Sequence, residues 1–542
     1  WRFIMRINKS YFSENAYHKY LEGLNKTGIT INRIPKISNI NAKLAEFGWS
    51  AIGVRGFLPP LIFMDFQSKA ILPIACDMRS IQHITYTPAP DIVHEAAGHS
   101  PMIADNDYAN FLKNYGKIAL KAISSVEDFE LYQATRYLSD IKENPKSTKS
   151  QIVNAETNVK NKRNLISYIS EASYLSRINW WTVEYGLIGK IDKPKIYGAG
   201  LLSSIGESEN CLKNSVKKIP ISIDCINHSY DITEQQPKLF VSNNFKSLNK
   251  ILNQFSLTMA YKIGGRKSIE KAIKAKTVCT VEVDKKIQIS GKVEKVWGKK
   301  IDYIQLTGPV QISYRGKEVS GHGTDRHPNG FGFPIGKLNN SEKTNLLFVA
   351  IDTLGNNRKL NSISLEFESG LSINGNLKTH KNIYRDCNIF TFINCTVSYK
   401  DNILFQPEWG EYDLIYGNHI TSVFGGPADI DKYYKYESFD KSANKNKIYS
   451  SNANQQLNII YSTIRDFRQK RMKKFEILEK LYKHLSKEYP DDWLAKVEIY
   501  EIIYNKDLDW KNSLKKSIKY HMKNVDSELA KAIKNSIRLI EK

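Results

Sequence analysis

Cysteine is scarce in this chain and never paired. Cys76, Cys211, Cys225, Cys279, Cys387 and Cys395 are scattered over 542 positions without one Cys-x-x-Cys. That pattern argues against a disulfide scaffold and suits free thiols in a reducing cytoplasm. No run of about 18 apolar residues occurs, so neither a membrane-spanning helix nor a membrane partner is expected. A charged-then-apolar signal segment is missing too. The chain opens at Trp1 rather than Met, which leaves room for an upstream piece. Acidic residues are also short: 56 Asp and Glu against 79 Lys and Arg leave a net charge of +23. Such an excess invites a nucleic-acid partner. Here Lys runs through the whole chain alongside Asn and Ile, so the excess reads as solvated surface and no nucleic acid is expected. What remains is ample for folding. The 41% hydrophobic and 11% aromatic content supports folded domains, and the length calls for two to four of them.

The most informative stretch is Thr87-Pro88-Ala89-Pro90-Asp91-Ile92-Val93-His94-Glu95-Ala96-Ala97-Gly98-His99-Ser100-Pro101. Histidine is a common ligand for iron, zinc and copper. In a His-Glu-x-x-His zinc peptidase the two imidazoles are four apart, about 40° from each other on a regular helix. Here they are five apart, which a regular helix would splay by about 140°. One metal could take both only where the helix ends or bends, and Gly98 and Pro101 supply such an ending. A third ligand must come from elsewhere. Glu184, inside Trp180-Trp181-Thr182-Val183-Glu184-Tyr185-Gly186, is an acid in an aromatic and β-branched run. Burying it uncompensated is costly, so it has either a metal or an ion-pair partner. With His94 and His99 it would complete a two-histidine, one-carboxylate triad of the kind that holds non-haem Fe(II) with open positions.

Three separated motifs then occur in order. Pro90-Asp91-x-x-His94-Glu95-x-x-Gly98-His99-x-Pro101 is followed by Trp180-x-Thr182-Val183-Glu184-x-Gly186 and by Tyr197-Gly198-Ala199-Gly200-Leu201-Leu202-Ser203-Ser204. Together they resemble the tetrahydropterin-dependent aromatic amino acid hydroxylases, nearest to the bacterial phenylalanine-hydroxylating branch, in a long form with an extra C-terminal region. The resemblance covers roughly the first half of the chain. It implies a mostly α catalytic domain of the aromatic amino acid hydroxylase type, followed here by a β-rich domain and a C-terminal α-helical region. It also implies Fe(II) on His94, His99 and Glu184, a tetrahydrobiopterin cofactor, and O2 and an aromatic amino acid as substrates. Phenylalanine to tyrosine is the expected reaction, with tyrosine or tryptophan hydroxylation as alternatives.

By the same resemblance Arg79 binds the substrate carboxylate, Asp91 orients it and Thr87 adds a hydroxyl contact. A planar guanidinium suits that task because it meets a carboxylate in two parallel hydrogen bonds. Trp180 lines the ring site, and Ser203 hydrogen-bonds a metal-bound histidine or the substrate. Gly56, Leu58 and Pro60 offer backbone contacts to the pterin, and Phe63 stacks on it. Glu95 is no ligand; it sits near the pterin and a metal-bound water as a catalytic group. Glu207 is expected to be structural. Between Phe66 and Met78 the sequence departs from the family's aromatic-rich pattern, having Lys69, Leu72, Pro73 and Asp77, which leaves ring preference open.

Organisation follows from periodicity. The catalytic domain is assigned to 1–270, with an inserted helical hairpin at about 125–165 that is broken near Asn144-Pro145. Alternating runs such as Val281-Glu282-Val283 and Ile363-Ser364-Leu365-Glu366-Phe367 mark a β-rich domain at 277–440. Within it His322 and His327 lie in a Gly/Pro-rich loop, read as incidental rather than as a second metal site. A polar linker is expected at 441–456 and helices over 457–542, with apolar stripes such as Phe467, Leu478, Leu485, Trp493, Val497, Ile533 and Ile537. A homo-oligomer could form through the insertion or these helices. Two rival readings stand beside the hydroxylase: a zinc-type hydrolase using His94, Glu95 and His99, and a non-catalytic protein whose C-terminal half binds a partner.

Overall fold

Helices dominate where apolar residues recur at helical spacing. Helix Arg2–Asn15 buries Phe3, Ile4, Ile7 and Phe12. Helix Asn106–Ala119 buries Tyr108, Phe111, Leu112 and Tyr115 and is capped by Asp105, whose side chain accepts from the amides of Asp107 and Tyr108. The computed structural model describes residues 1–55, 58–86, 90–143, 147–232, 235–339, 362–384, 387–434 and 452–542. Gly56, Thr87 and most of the expected linker lie outside the described residues, and a helix already begins at Asn452.

Two small sheets complete the first half. Ser50–Val54 pairs in parallel with Ile71–Ala75, which places Leu72 and Pro73 in the interior and leaves Lys69 and Asp77 exposed. Four short strands, Leu187–Gly189, Pro194–Ile196, Lys217–Pro220 and Lys238–Ser242, form the other sheet. Helices Val126–Glu143 and Lys149–Asn164 pack as a hairpin around Ala134, Leu138, Ala155 and Val159. Thr148 and Gln151 form a capping box at the start of the second helix.

The middle of the chain is antiparallel β. A six-stranded sheet is built around Ile287–Trp297 and Tyr303–Tyr314, and a five-stranded sheet around Leu371–Tyr384 and Cys387–Tyr399. Strand Ser362–Glu366 alternates buried and exposed along its length, as its sequence pattern requires. Each sheet has its own apolar core.

The C-terminal helices have no separate core. Leu478, Leu485, Trp493, Val497 and Ile533 belong to the same buried cluster as Phe3, Ile4 and Tyr108. Phe3 meets Trp493 edge-on at 5.0 Å, and Arg2 and Arg6 both pair with Glu501. The stripes that could have faced a partner are buried within the chain. Among the described residues no helix is long and apolar enough to cross a membrane.

Candidate active site

His94 and His99 share one wide turn. The segment His94–His99 is π-helical, with the amide of Ser100 donating back five residues to the carbonyl of Glu95. In such a turn residues five apart fall on one face, so the spacing that would splay two imidazoles on an α-helix brings them together. The Nε2 atoms stand 3.1 Å apart. The expected ending at Gly98 and Pro101 is therefore corrected: the helix continues through Ser100–Ile103, and Pro101 sits in its first turn, where no donor is needed. Gly98 serves packing instead. A Cβ there would lie 2.7 Å from the carbonyl oxygen of Ala199.

Glu184 comes from a second π-turn, Trp180–Glu184, closed by the amide of Tyr185 on the carbonyl of Trp180 at 2.8 Å. Its Oε2 lies 3.3 Å from Nε2 of His94 and its Oε1 3.5 Å from Nε2 of His99. Burial alone would push the Glu184 carboxyl up; His99 and His94 more than reverse that and hold it well below the usual range. Donors bonded at about 2.1 Å to one ion lie roughly 3.0–3.4 Å apart as octahedral or tetrahedral neighbours. The three separations and the donor set fit a first-row metal ion.

Ser203 settles how His94 presents itself. Its Oγ is 2.8 Å from the carbonyl of Ala199 and 3.1 Å from Nδ1 of His94. A hydroxyl has one proton, and a carbonyl can only accept it. Nδ1 of His94 must then be the donor to Ser203, which leaves Nε2 with its lone pair toward Glu184 and His99.

Arg79 and Asp91 lie on the same network, both buried. The Nε and Nη2 of Arg79 donate to the two oxygens of Asp91, each at 2.8 Å, and Nη1 donates to the carbonyl of Ser203 at 3.0 Å. Asp91 also accepts the amide of His94 at 3.0 Å. The contacts close a ring: His94 to Ser203, Ser203 to Arg79, Arg79 to Asp91, and Asp91 back to His94. Among the described residues the other two of its five guanidinium N–H groups have no acceptor. Glu95 is buried, its Oε2 has no hydrogen-bond partner among the described residues, and burial pushes its carboxyl up to about 7 against the pull of His99.

Trp180 stacks on Tyr185 and on Tyr230, each at 4.4 Å between centroids, and its Nε1 donates to Gln236 at 3.4 Å. With both tyrosines stacked on it, Trp180 offers a ligand its edge. Tyr185, Tyr230 and Gln236 were not picked out as site residues from sequence; the aromatic run around Glu184 and the Tyr230–Pro237 segment were the available signals. Leu58, Pro60 and Phe63 make no hydrogen bond to this network among the described residues. Pro60 opens helix Pro60–Ser68, has no N–H and directs its carbonyl along the helix, so a backbone contact from it is not favoured. The carbonyl of Leu58 accepts from Tyr132 at 2.9 Å. Leu61, Ile62, Phe63, Met64 and Phe66 on this helix are all only half-buried.

The family model for biopterin-dependent aromatic amino acid hydroxylases matches residues 1–139 and 167–295, passing over the whole of the second hairpin helix. Phenylalanine-4-hydroxylase of Dictyostelium discoideum is 29% identical over 262 residues, 47% of this chain and 49% of that protein. The Chromobacterium violaceum enzyme of the same name is 27% identical over 237 residues, 43% of this chain and 65% of its own. That of Mesorhizobium japonicum is 25% identical over 282 residues, 51% and 85% respectively. The chain thus spans about half of the first relative and less than two thirds of the second. Among solved structures, C. violaceum phenylalanine hydroxylase with bound iron(III) and 7,8-dihydrobiopterin is 25% identical, with a TM-score of 0.37 over 48% of this chain and 80% of that one. Phenylalanine hydroxylase from Legionella pneumophila is 23% identical, with a TM-score of 0.36 over 47% and 94%.

Proposed function

Because residues 1–139 and 167–295 belong to the biopterin-dependent aromatic amino acid hydroxylase family, we propose that this chain is an Fe(II)- and tetrahydropterin-dependent monooxygenase converting phenylalanine to tyrosine. The observation that supports it most is the closed ring of contacts through His94, Ser203, Arg79 and Asp91, which joins a metal-ligand set to a buried arginine.

Iron on His94, His99 and Glu184 and a tetrahydropterin would together supply O2 activation and two electrons, delivering one oxygen atom to the substrate ring and the other to the pterin. The chain's own residues position and protect. Arg79 presents its two remaining N–H groups to the amino acid carboxylate while Asp91 fixes its plane. Ser203 keeps the Nε2 lone pair of His94 available. Glu95, whose carboxyl burial pushes up from its ordinary value, is placed to hold or release a proton beside the ligands. Trp180 limits the ring site with its edge, and Phe63 with its half-buried neighbours offers the pterin a face. Leu72 and Pro73, which break the family's pattern, lie inside a strand, so they shape a ring pocket at most indirectly. A reducing cytoplasm is the proposed setting, in keeping with free thiols at Cys76, Cys211, Cys225, Cys279 and Cys395.

The test is a product assay. The chain is given Fe(II), a tetrahydropterin and O2 with Phe, Tyr or Trp in turn, and products are identified by mass spectrometry. Tyrosine from Phe is the expected result. Hydroxylated Trp or Tyr instead would overturn the substrate, and absence of pterin oxidation in iron-loaded protein would overturn the activity.

A further inference from the structure

The loop Val319–Asn329, between strands Lys317–Glu318 and Gly330–Pro334 of the six-stranded sheet, carries His322 and His327. Both backbones are pinned to strand Tyr303–Tyr314: Ile312 donates to the carbonyl of His322 and Val310 to that of His327, each at 2.9 Å. The imidazoles turn inward and meet Asp413, which lies on strand Tyr412–Leu414 of the other sheet. All three side chains are buried; His322 is 7% exposed, His327 8% and Asp413 1%.

The contacts around Asp413 are nearly complete. Its Oδ1 accepts from Thr391 at 2.5 Å and from Nη2 of Arg326 at 3.1 Å, and its Oδ2 accepts from Nε of Arg326 at 2.9 Å. A carboxylate has about four acceptor directions, so one remains, on Oδ2. That oxygen lies 3.5 Å from Nδ1 of His322 and 3.4 Å from Nε2 of His327. Both separations exceed a good N–H···O bond of about 2.7–3.2 Å, and neither nitrogen has a hydrogen-bond partner among the described residues. Leaving two buried nitrogens unpaired is costly. The two separations, 3.5 and 3.4 Å, are instead close to the edge of a tetrahedron of donors bonded at about 2.0–2.1 Å to one ion, about 3.3–3.4 Å. The three donor atoms all lie within 4.8 Å of one another.

We propose that His322, His327 and Asp413 form a second metal site, distinct from the first and of zinc class, which staples the loop of one β-sheet to a strand of the other. Imidazole and carboxylate donors select a borderline first-row ion rather than calcium or magnesium. Arg326 and Thr391 act as the outer partners that orient the carboxylate. Glu411, within 2.7 Å of Nη2 of Arg326, offsets the guanidinium charge. Three protein donors leave one position for water, and the burial of all three points to a structural ion.

The test uses the full chain, stripped of metal and titrated with Zn(II) against a chromophoric chelator. The unmodified chain is expected to bind two equivalents. A His99→Ala/Glu184→Ala chain, which lacks the first site, is expected to bind one and to melt at a higher temperature with Zn(II) than without. Adding His327→Ala should weaken that remaining binding at least a hundredfold and abolish the shift in melting. No Zn(II) bound by the His99→Ala/Glu184→Ala chain would overturn the proposal and assign the space to water. Binding untouched by His327→Ala would overturn it by placing the ion elsewhere. The first arm leaves the β region unaltered, so misfolding of the His327→Ala chain cannot blur it.

Discussion

Ser203→Ala isolates one link of the network at the first site. It removes the Oγ that accepts from Nδ1 of His94 but keeps the backbone carbonyl that accepts from Arg79. The Nδ1 proton is then left in a half-buried site with no acceptor. An unsatisfied buried donor costs about 1–3 kcal/mol, and loss of an outer partner to a metal-bound histidine typically weakens metal binding about 10–100-fold, or roughly 1.4–2.7 kcal/mol. The two ranges agree, so Fe(II) affinity is expected to fall by about that factor. Since Arg79 still has Ser203's carbonyl and both oxygens of Asp91, KM for the amino acid should hold within about twofold. The assay is chelator competition for Fe(II), followed by turnover at low and at saturating iron. Activity should return at high Fe(II) with KM unchanged. Unaltered Fe(II) affinity, or a large rise in KM at saturating iron, would refute the tautomer argument.

Arg79→Met leaves Asp91 buried without its partner, which should cost about 3–5 kcal/mol of stability and raise KM for the amino acid; melting and steady-state kinetics check both. Gly98→Ala forces a Cβ to 2.7 Å from the carbonyl oxygen of Ala199. Overpacking of this kind costs about 1–3 kcal/mol, and Fe(II) affinity should fall with it because the π-turn carrying His99 must shift. Burial pushes the Glu207 carboxyl up to about 8 from 4.5. A folded value above the unfolded one gives a stability contribution fully present below pH 4.5 and lost as pH rises through about 8. Wild type should therefore lose more unfolding free energy between about pH 5 and pH 9 than Glu207→Gln, by a difference on the order of a few kcal/mol in denaturant titrations; equal slopes would refute it. A chain ending before Asn452 uncovers Phe3, at about 1.5–3 kcal/mol for a large side chain exposed, and leaves Arg2 and Arg6 without Glu501, so its first half should melt lower or fail to fold.

Much of the first site was legible because its chemistry is carried by residue type. Two imidazoles and an acid in an apolar run announce themselves, and Arg79 follows once the motifs are aligned. The π-turns were not legible. An i to i+5 bond leaves no compositional mark, so a five-residue spacing read against a regular helix pointed to a helix end at Gly98, whereas the glycine is there for Ala199. Trp180 was named, yet its stacking on Tyr230 depends on a residue fifty positions downstream. Asp413 escaped for the same reason: it lies 86 residues beyond His327 in sequence, and only the pairing of strands brings it to the loop.

The last helices were read as stripes that belong to a core or face a partner, because periodicity gives a face but not what covers it. Their cover is the first half of the chain, and the contact falls close to the site. Helix Ser527–Glu541 sets Glu528 against Gly206 and within 3.0 Å of the Gln235 amide nitrogen, while Lys531 and Asn535 both reach Glu209. Gly206 lies three residues past Ser203, and Gln235 adjoins the Gln236 that binds Trp180. Ser204, next to Ser203, is itself tied to the carbonyl of Thr85 at 2.9 Å. Packed contacts of this kind have few degrees of freedom, so a shift of the helix would pass into both turns. The final helix therefore buttresses the turn after Ser203 and the neighbour of Trp180's partner, and the C-terminal region is part of what holds the site in shape.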